Sequence, residues 1–153
     1  MRALVQRVTH ASVTVEGDCV GKISEGLLVL LGVGPNDTEK EADFLAKKCA
    51  NLRIFTDEND KMNLSLLDIG GQMLVVSQFT LYADCSHGRR PAFIGAAAPE
   101  LANRLYEYFQ QSVQKEGVQT VQHGIFGADM KVELLNNGPV TILLDTDEIM
   151  PKK

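Results

Sequence analysis

Apolar and polar residues alternate along the start of the chain, which is the pattern of β-strands with one buried face. The alternation covers residues 4–9 and 13–16, and it predicts two short strands there. Turn residues at 16–18 then lead into a third strand around residues 19–23. The continuous apolar run over residues 27–33 predicts a fourth strand that is buried on both faces. We expect these strands to form a meander.

Two segments have the spacing of amphipathic helices. Thr38 and Glu41 match a capping box, in which a hydroxyl caps the helix and a carboxylate follows three residues later. This first helix has one apolar face, formed by Ala42, Leu45, Ala46, Cys49 and Leu52. The second helix is predicted to begin near Pro99, a residue favoured in the first turn, and to end at Gly117. Its apolar stripe consists of Leu101, Leu105, Tyr108, Phe109 and Val113.

The remaining apolar runs predict strands in hairpin-like succession. They lie at residues 54–55, 73–78, 118–122, 131–135 and 140–144. Strands therefore outnumber helices. We predict an α+β fold in which antiparallel β-sheets form a sandwich or barrel-like core and two main helices pack on the outside.

The composition is that of one compact domain. The chain has 153 residues, of which 44% are hydrophobic and 23% are charged, so it can fill a sizeable core. We predict a single domain over residues 1–146 and a mobile C-terminal tail over residues 147–153. No apolar run approaches the roughly 20 residues of a membrane span, and the N-terminus has no signal-peptide pattern. We therefore expect no membrane association and a cytoplasmic location.

The net charge limits the kind of nucleic-acid contact that the chain can make, and the cysteine spacing indicates the state of the thiols. Fifteen Lys and Arg residues oppose twenty Asp and Glu residues, which gives a formal net charge of -5. Such a chain is unsuited to broad nucleic-acid binding, because phosphate neutralisation needs clustered cations, but it can still hold one end of an RNA. Cys19, Cys49 and Cys85 are widely spaced without zinc-ligand partners nearby. We expect three reduced and mostly buried thiols.

Most candidate cofactor and metal motifs are better explained as ordinary turns. Gly32 and Gly34 follow a strand, but Asp37 occupies the third glycine position of a dinucleotide fingerprint and would repel phosphate. Residues 57–62 resemble the start of a calcium loop, yet Met62 replaces its required glycine. We therefore predict neither a cofactor nor a metal.

Two segments carry polar groups or a backbone restraint that merit a functional interpretation. Over residues 77–81 a buried strand ends in two hydroxyls and an amide, which either face a ligand or mark a strand turning polar at the surface. Over residues 136–141 a Gly-Pro pair precedes a strand, and its spacing alone predicts a hairpin turn with a trans proline. Arg89 and Arg90, in a predicted loop, are candidates for a phosphate contact.

At these two segments the sequence resembles the D-aminoacyl-tRNA deacylase family. Residues 77–80 correspond to the family's SQxT motif and residues 136–141 to its NxGPxT motif. Both motifs in order, about sixty residues apart, form a specific signature, and the similarity extends over nearly the whole chain. One departure is Ala92, where the family pattern has serine, so a hydrogen bond from that hydroxyl is not expected here.

The resemblance implies a homodimer with active sites at the subunit interface. Gly138 and Pro139 of one subunit, joined by a cis bond, would reach into the other subunit's pocket and present their carbonyls to the α-amino group of the bound amino acid. Arg7 would steady this dipeptide through a charge-assisted contact. The fixed backbone would exclude L-side chains, whereas D-side chains, and glycine with no side chain, would be accepted.

The implied reaction is hydrolysis of the ester between a D-amino acid, or mischarged glycine, and the terminal adenosine of tRNA. The expected catalytic residues are Gln78, Phe79 and Thr80, and the expected substrate-binding residues are Ser77, Phe93, Met130, Gly138 and Pro139. The Gln78 amide and the N–H groups of Phe79 and Thr80 would stabilise the carbonyl oxygen, because an activated ester needs orientation more than a strong base. Ser77 and Phe79 would hold the adenosine, and the side chains of Phe93 and Met130 would wall the pocket.

The sequence leaves the role of Thr80 and two rival functions open. Thr80 is either a nucleophile or a positioning group beside water that the RNA's neighbouring 2′-hydroxyl activates. We expect the second, because a threonine nucleophile needs an adjacent base.

The rivals are a non-catalytic RNA- or metabolite-binding dimer and a general esterase with a threonine nucleophile. The acidic charge suits contact with the tRNA acceptor end alone, with Arg89, Arg90 and Lys131 as local cations.

Overall fold

The computed structural model describes residues 1–152, which contain eight strands, four α-helices and one 3₁₀ turn. In chain order they are β1 (Arg2–Val15), β2 (Asp18–Ile23), β3 (Gly26–Gly32), α1 (Glu39–Asn51), β4 (Phe55–Thr56), β5 (Met62–Leu64), α2 (Leu66–Ile69), β6 (Gln72–Ser77), the 3₁₀ turn (Phe79–Tyr82), α3 (Pro99–Lys115), β7 (Val121–His123), β8 (Lys131–Asp145) and α4 (Thr146–Ile149).

One mixed sheet curls into a nearly closed barrel, and a separate two-stranded sheet joins β4 to β5. The strands of the mixed sheet follow the order β2-β1-β3-β6-β7, and β8 also pairs with β1. The predicted α+β class is confirmed. The expected antiparallel pairing holds for β1 with β2, β3 and β8. It does not hold for β6 and β7, because the long connection through α1 returns β6 parallel to β3, and β7 is parallel to β6. The predicted meander is also wrong, since β2 and β3 both pair with β1, at its end and at its start, and do not pair with each other.

The barrel has two apolar layers, one inside it and one between its outer surface and the helices. Side chains of β3 and β6 alternate between them, which confirms the prediction of a strand buried on both faces. Leu27, Val29, Leu31, Met73 and Val75 face the helices, whereas Leu28, Leu74 and Val76 face the barrel interior. A glycine allows the barrel to close, because a Cβ at Gly21 would lie 2.7 Å from the His123 carbonyl oxygen of β7.

The first strand is single and long, so the prediction of two short opening strands is wrong. Ala3 and Val5 belong to the layer under the helices, whereas Ala11 and Val13 belong to the barrel interior. The pairing of β1 with β8 is irregular between Gln6 and His10. Such an irregularity changes the face to which later side chains point, so one strand contributes to both layers while its alternation is interrupted.

The two main helices lie where they were predicted. The Thr38 hydroxyl oxygen accepts a hydrogen bond from the Lys40 N–H at 3.2 Å and donates to the Glu41 carboxylate at 3.0 Å. The hydroxyl thus caps the helix at Lys40, and the two reciprocal backbone bonds of the predicted capping box between Thr38 and Glu41 do not form. Helices α1 and α3 pack together on the barrel, and the Ser112 hydroxyl on α3 donates to Asp43 on α1 at 2.7 Å.

Three further expectations concern the chain's end, its cysteines and membranes. Cys49 is buried, but Cys19 and Cys85 are exposed, so the expectation of mostly buried thiols is wrong. The predicted tail begins within α4; its mobility stays a prediction, and Lys153 lies outside the described residues. None of the helices in residues 1–152 is long and apolar enough to cross a bilayer.

Candidate active site

A cavity of about 600 Å³ opens where β3 and β6 end. Ser77, Gln78 and Phe79 line it from the end of β6, and Phe93 and Met130 line it from two later segments. All five of these residues were predicted from the sequence as site residues. Their side chains combine an amide, a hydroxyl and apolar surface, which is the usual make-up of a small-molecule pocket.

The end of β6 leaves backbone donors free beside this cavity. Gln78 N–H donates to the Leu31 carbonyl at 2.8 Å, which is the last bond between this segment and β3. The chain then enters the 3₁₀ turn at Phe79. The first N–H groups of a helical turn have no partner within it, and those of Phe79 and Thr80 have no acceptor among the described residues. Both N–H groups are therefore available to an oxygen atom of a ligand.

Thr80 lies next to the cavity and is not among its lining residues. Its exposed side chain is held by the Gln78 amide, whose Nε2 donates to Thr80 Oγ1. An amide is a hydrogen-bond donor and acceptor with no basic character, so it cannot take a proton from the threonine hydroxyl. The side chain that contacts Thr80 therefore orients this hydroxyl without activating it as a nucleophile.

The cavity offers little acid-base chemistry of its own. Among the described residues that line it, Asp129 alone has an ionisable side chain. Asp129 is exposed, and Lys131 Nζ lies 3.2 Å from its carboxylate oxygens. Because the cavity has a single exposed carboxylate among the described side chains that line it, a reaction there depends on positioned donors and on the substrate's own groups.

Two aromatic rings form an exposed rim at the cavity. The rings of Phe79 and Phe93 pack edge to face, with centroids 5.0 Å apart and planes at 73°. Phe79 remains 56% exposed and Phe93 37% exposed, so both rings keep faces open to solvent. Exposed aromatic faces are suitable platforms for a nucleic-acid base. This rim therefore fits the predicted contact with an adenosine.

Arg2 holds the 3₁₀ turn in place and was not predicted as a site residue. Its Nη1 donates to the Leu81 carbonyl at 2.7 Å, and its Nε lies 3.0 Å from Asp145 Oδ2. The guanidinium also lies 4.5 Å from the Tyr82 ring centroid. Burial raises the pKa of Tyr82, with Asp37 and Asp145 acting in the same direction, so this phenol stays protonated. The arrangement is structural, because it fixes the turn that carries Phe79 and Thr80.

Gly138 and Pro139 lie in a bulge of β8. Between the pairs Gln6–Thr141 and Val8–Asn136, β1 advances by two residues and β8 by five, so the intervening residues leave the ladder. The two strands predicted over residues 131–135 and 140–144 are therefore one strand with an interruption. Both residues of the Gly-Pro pair are exposed, and neither lines the cavity of its own chain.

Contacts from the rest of the fold hold this bulge. Arg7 Nε donates to the Asn137 carbonyl at 2.8 Å, and Arg7 Nη1 donates to the Ile54 carbonyl at 2.7 Å. The Asn136 side chain closes the bulge by accepting from the Val140 N–H at 2.8 Å. Arg7 thus contacts the residue preceding the dipeptide, and its supporting role stays a prediction. The Gly138–Pro139 bond is cis, as the resemblance implies, and the trans proline expected from spacing alone is wrong.

The predicted site residues thus fall into two groups. Ser77, Gln78, Phe79, Phe93 and Met130 surround the cavity, with Thr80 beside them, whereas Arg7, Gly138 and Pro139 form the bulge. Arg89 and Arg90 are exposed in the loop that the Asp84–Ala92 bridge closes, just before Phe93. In residues 1–152 no group of three His, Cys, Asp or Glu side chains is placed to hold a metal ion.

Comparisons with known proteins agree with the two motifs. The family model described as D-Tyr-tRNA(Tyr) deacylase matches residues 4–145. Two proteins named D-aminoacyl-tRNA deacylase, from Thermosipho melanesiensis and Clostridioides difficile, are 59% and 60% identical to this chain. Each alignment covers 97% of this chain and 99% of the relative. A solved structure named c-Myc DNA Unwinding Element Binding Protein is 42% identical with a TM-score of 0.89, over 95% of this chain and 98% of that one. Because the family model spans almost the whole chain, and these identities extend over nearly full lengths, the chain belongs to the D-Tyr-tRNA(Tyr) deacylase family.

Proposed function

We propose that this protein is a D-aminoacyl-tRNA deacylase, a hydrolase that cleaves the ester between a D-amino acid, or mischarged glycine, and the 3′-terminal adenosine of tRNA. The observation that carries the proposal is the cavity at the end of β6, where an amide and two free N–H groups meet an aromatic rim. The names of the close relatives support the same activity. A tRNA substrate also supports a cytoplasmic location and a role in translation quality control.

The proposed catalytic groups act on the ester carbonyl. The Gln78 amide and the N–H groups of Phe79 and Thr80 donate to the carbonyl oxygen, whose negative charge grows as the tetrahedral intermediate forms. Ser77 and the Phe79 ring hold the adenosine, and Phe93 and Met130 bound the space for the aminoacyl group.

The neighbouring 2′-hydroxyl of the adenosine assists the attacking water in this mechanism. The water oxygen forms a bond with the carbonyl carbon, the bond to the ribose 3′-oxygen breaks, and the proton released by the water ends on that oxygen. The products are a free D-amino acid and tRNA with its 3′-hydroxyl restored. This route suits a cavity whose single ionisable lining side chain among the described residues, Asp129, is exposed and paired with Lys131.

Chiral selection is proposed to occur across a homodimer. Gly138 and Pro139 lie in an exposed bulge away from their own cavity, so they are free to enter the cavity of a partner subunit. There the two carbonyls would receive the substrate's α-amino group, and the backbone would fill the space that an L-side chain needs. Arg7 keeps the bulge rigid through its bond to Asn137, which prevents the backbone from yielding to the wrong enantiomer.

Hydrolysis of three esters separates this function from its rivals. We expect turnover of D-tyrosyl-tRNA, and no turnover of L-tyrosyl-tRNA or of D-tyrosine ethyl ester, because the reaction needs both the chiral filter and the RNA. Release of the amino acid from tRNA is followed after acid precipitation of the tRNA, and hydrolysis of the ethyl ester is followed by chromatography of free D-tyrosine. Rapid cleavage of the ethyl ester would identify a general esterase, and binding of D-tyrosyl-tRNA without release would identify a non-catalytic binding protein.

The Thr80→Ala variant tests the mechanism. We expect it to retain deacylation within about tenfold of the unaltered protein, since it loses one hydrogen bond to Gln78 and no nucleophile. The rate is measured under single turnover with D-tyrosyl-tRNA, and Thr80→Ser serves as the control that keeps the hydroxyl. A loss of several orders of magnitude in Thr80→Ala alone would mean that the threonine forms an acyl-enzyme.

The salt dependence of tRNA binding tests the small basic footprint. Each phosphate neutralised on single-stranded RNA contributes about -0.7 to the slope of log K against log salt, so we expect a total slope between about -1 and -3. Arg90→Ala should make the slope shallower by about one contact, whereas Lys47→Ala, on an exposed position of α1, should leave it unchanged. A steep slope in the unaltered protein would show that the contact extends far beyond the acceptor end.

A further inference from the structure

A buried tyrosine outside the predicted site holds one wall of the cavity. Tyr106 on α3 is 3% exposed, and its hydroxyl lies 3.0 Å from the Val75 carbonyl oxygen of β6 and 3.2 Å from the Gly124 carbonyl oxygen. Burial raises the pKa of Tyr106, so the hydroxyl remains a donor at neutral pH. Gly124 N–H also donates to the Val75 carbonyl at 3.1 Å. Tyr106 therefore ties the start of the segment 124–130 to the strand that carries the catalytic motif.

The same segment supplies part of the cavity lining. Phe126 and Met130 line the cavity, and the Phe126 ring centroid lies 6.1 Å from that of Tyr106. The tyrosine thus contacts the segment twice, through its hydroxyl at Gly124 and through its ring at Phe126. Movement of either contact would change the shape of the space in which the aminoacyl group is proposed to sit.

Gly124 sets the position of Met130. A Cβ added at Gly124 would lie 2.5 Å from Met130 Sδ, closer than carbon and sulfur can approach. The Met130 thioether can lie against the backbone only because Gly124 has no side chain. Gly124 does not have a left-handed backbone conformation, so alanine fits its φ angle and would act on Met130 alone. The position of Met130 in the wall therefore depends on the residue that Tyr106 fixes.

We propose that Tyr106 is a positioning residue for the deacylation reaction, which fixes Gly124 and through it the Met130 side chain in the cavity wall. The inference rests on the proposed function, because the wall matters to catalysis only if this cavity receives the aminoacyl group. It predicts that the hydroxyl of Tyr106 affects substrate binding more than the chemical step, since β6, which leads to Gln78, stays paired with β3 and β7 when the bond to Val75 is lost.

Tyr106→Phe removes the hydroxyl and keeps the ring. We expect KM for D-tyrosyl-tRNA to rise about fivefold to tenfold, as for the loss of one buried hydrogen bond, with kcat changed less than about twofold. The matched control is Ser112→Ala, which removes a buried hydroxyl bond from the same helix on the side facing α1. Both variants should lose similar thermal stability, and only Tyr106→Phe should raise KM. An equal effect on KM in both would overturn the proposal.

Gly124→Ala tests the second step without touching the core hydrogen bonds. We expect Gly124→Ala to raise KM for D-tyrosyl-tRNA when Met130 is unaltered. In a Met130→Ala background it should have little further effect, because the side chain that it displaces is then absent. Additive effects of the two substitutions would mean that Gly124 does not act through Met130. If Tyr106→Phe fails to fold, this double-mutant cycle still tests the step from Gly124 to Met130, and additive effects would overturn the proposal.

A readout independent of activity separates this proposal from the proposed function. The chain has five methionines, so selective ¹³C labelling of the ε-methyl groups gives a simple spectrum in which Met130→Leu identifies the Met130 signal. We expect this signal to shift in Tyr106→Phe and Gly124→Ala and to stay in place in Ser112→Ala. An unmoved Met130 signal would overturn the positioning role even if the deacylase is active. A moved signal in a protein without deacylase activity would leave the coupling correct and the proposed function wrong.

Discussion

Replacing Gly138 with alanine is expected to lower the hydrolysis of D-tyrosyl-tRNA by about a hundredfold or more, with the barrel still folded. Gly138 has φ +145°, a conformation that L-residues rarely adopt. An added Cβ would lie 2.8 Å from Val140 Cγ2 and 3.0 Å from Arg7 Nη2. The bulge or the arginine must therefore move, and either movement displaces the carbonyls proposed to receive the substrate's amino group.

The control for this variant is Gly17→Ala in the turn between β1 and β2. Gly17 also has a positive φ, of +84°, but a Cβ there meets nothing within 4 Å. Both variants therefore carry backbone strain, and only one disturbs the bulge. We expect Gly17→Ala to lose some thermal stability and to keep its rate. A Gly138→Ala protein with the unaltered rate would show that the bulge takes no part in catalysis.

Gln78→Ala is expected to reduce kcat by about a hundredfold to a thousandfold, which is the usual effect of removing one oxyanion donor. The hydrogen bond from the Gln78 amide to the carbonyl oxygen is strongest when that oxygen carries negative charge in the intermediate. The substrate's ground state gains little from it, so KM should change little. Gln111→Ala, on an exposed position of α3, is the control and should keep full activity. Single-turnover rates with D-tyrosyl-tRNA measure the effect. A normal rate in Gln78→Ala would leave oxyanion stabilisation to the Phe79 and Thr80 N–H groups alone.

Features set by local sequence were predictable, and features set by distant pairing were not. The helices α1 and α3 follow from a cap, a first-turn proline and apolar spacing within one segment. The continuity of β1 and β8 depends on their irregular register with each other, where residues 137–140 leave the ladder. No local pattern distinguishes such a bulge from the turn between two strands, so two strands were predicted in each case.

In the candidate site, too, residues close together in sequence were predictable and residues that act through distant contacts were not. The residues of the 77–80 motif are neighbours in sequence, and their polar groups interrupt an apolar strand, so they were recognisable. Arg2 reaches Leu81 and Asp145, and Tyr106 reaches Val75 and Gly124, across spans of chain that no spacing rule covers. The predicted apolar stripe of α3 included Tyr108 and omitted Tyr106, although Tyr106 is the buried one of the two.

The exposed position of the bulge is the observation that most supports the proposed homodimer. Residues 138 and 139 lie at the surface of the protomer, and Arg7 bonds the carbonyl of the preceding residue, Asn137. The cavity lies elsewhere, at the end of β6. This backbone segment is exposed, is bonded by Arg7 and lies away from its own cavity, so it is suited to a contact with a second chain. Inserted into a second copy, it would complete a cavity that otherwise lacks a group to select the hand of the amino acid.

Co-expression of Gly138→Ala with Gln78→Ala tests this sharing of the site most directly. In a mixed dimer, one cavity would combine an intact Gln78 with an intact Gly138 from the other chain, and the second cavity would carry both changes. With random pairing at equal amounts, we predict that D-tyrosyl-tRNA hydrolysis returns to about a quarter of the unaltered rate, although each variant alone is nearly inactive. A mixture that stays as inactive as its two components, with mixed dimers verified by mass spectrometry, would contradict a filter supplied by the partner subunit.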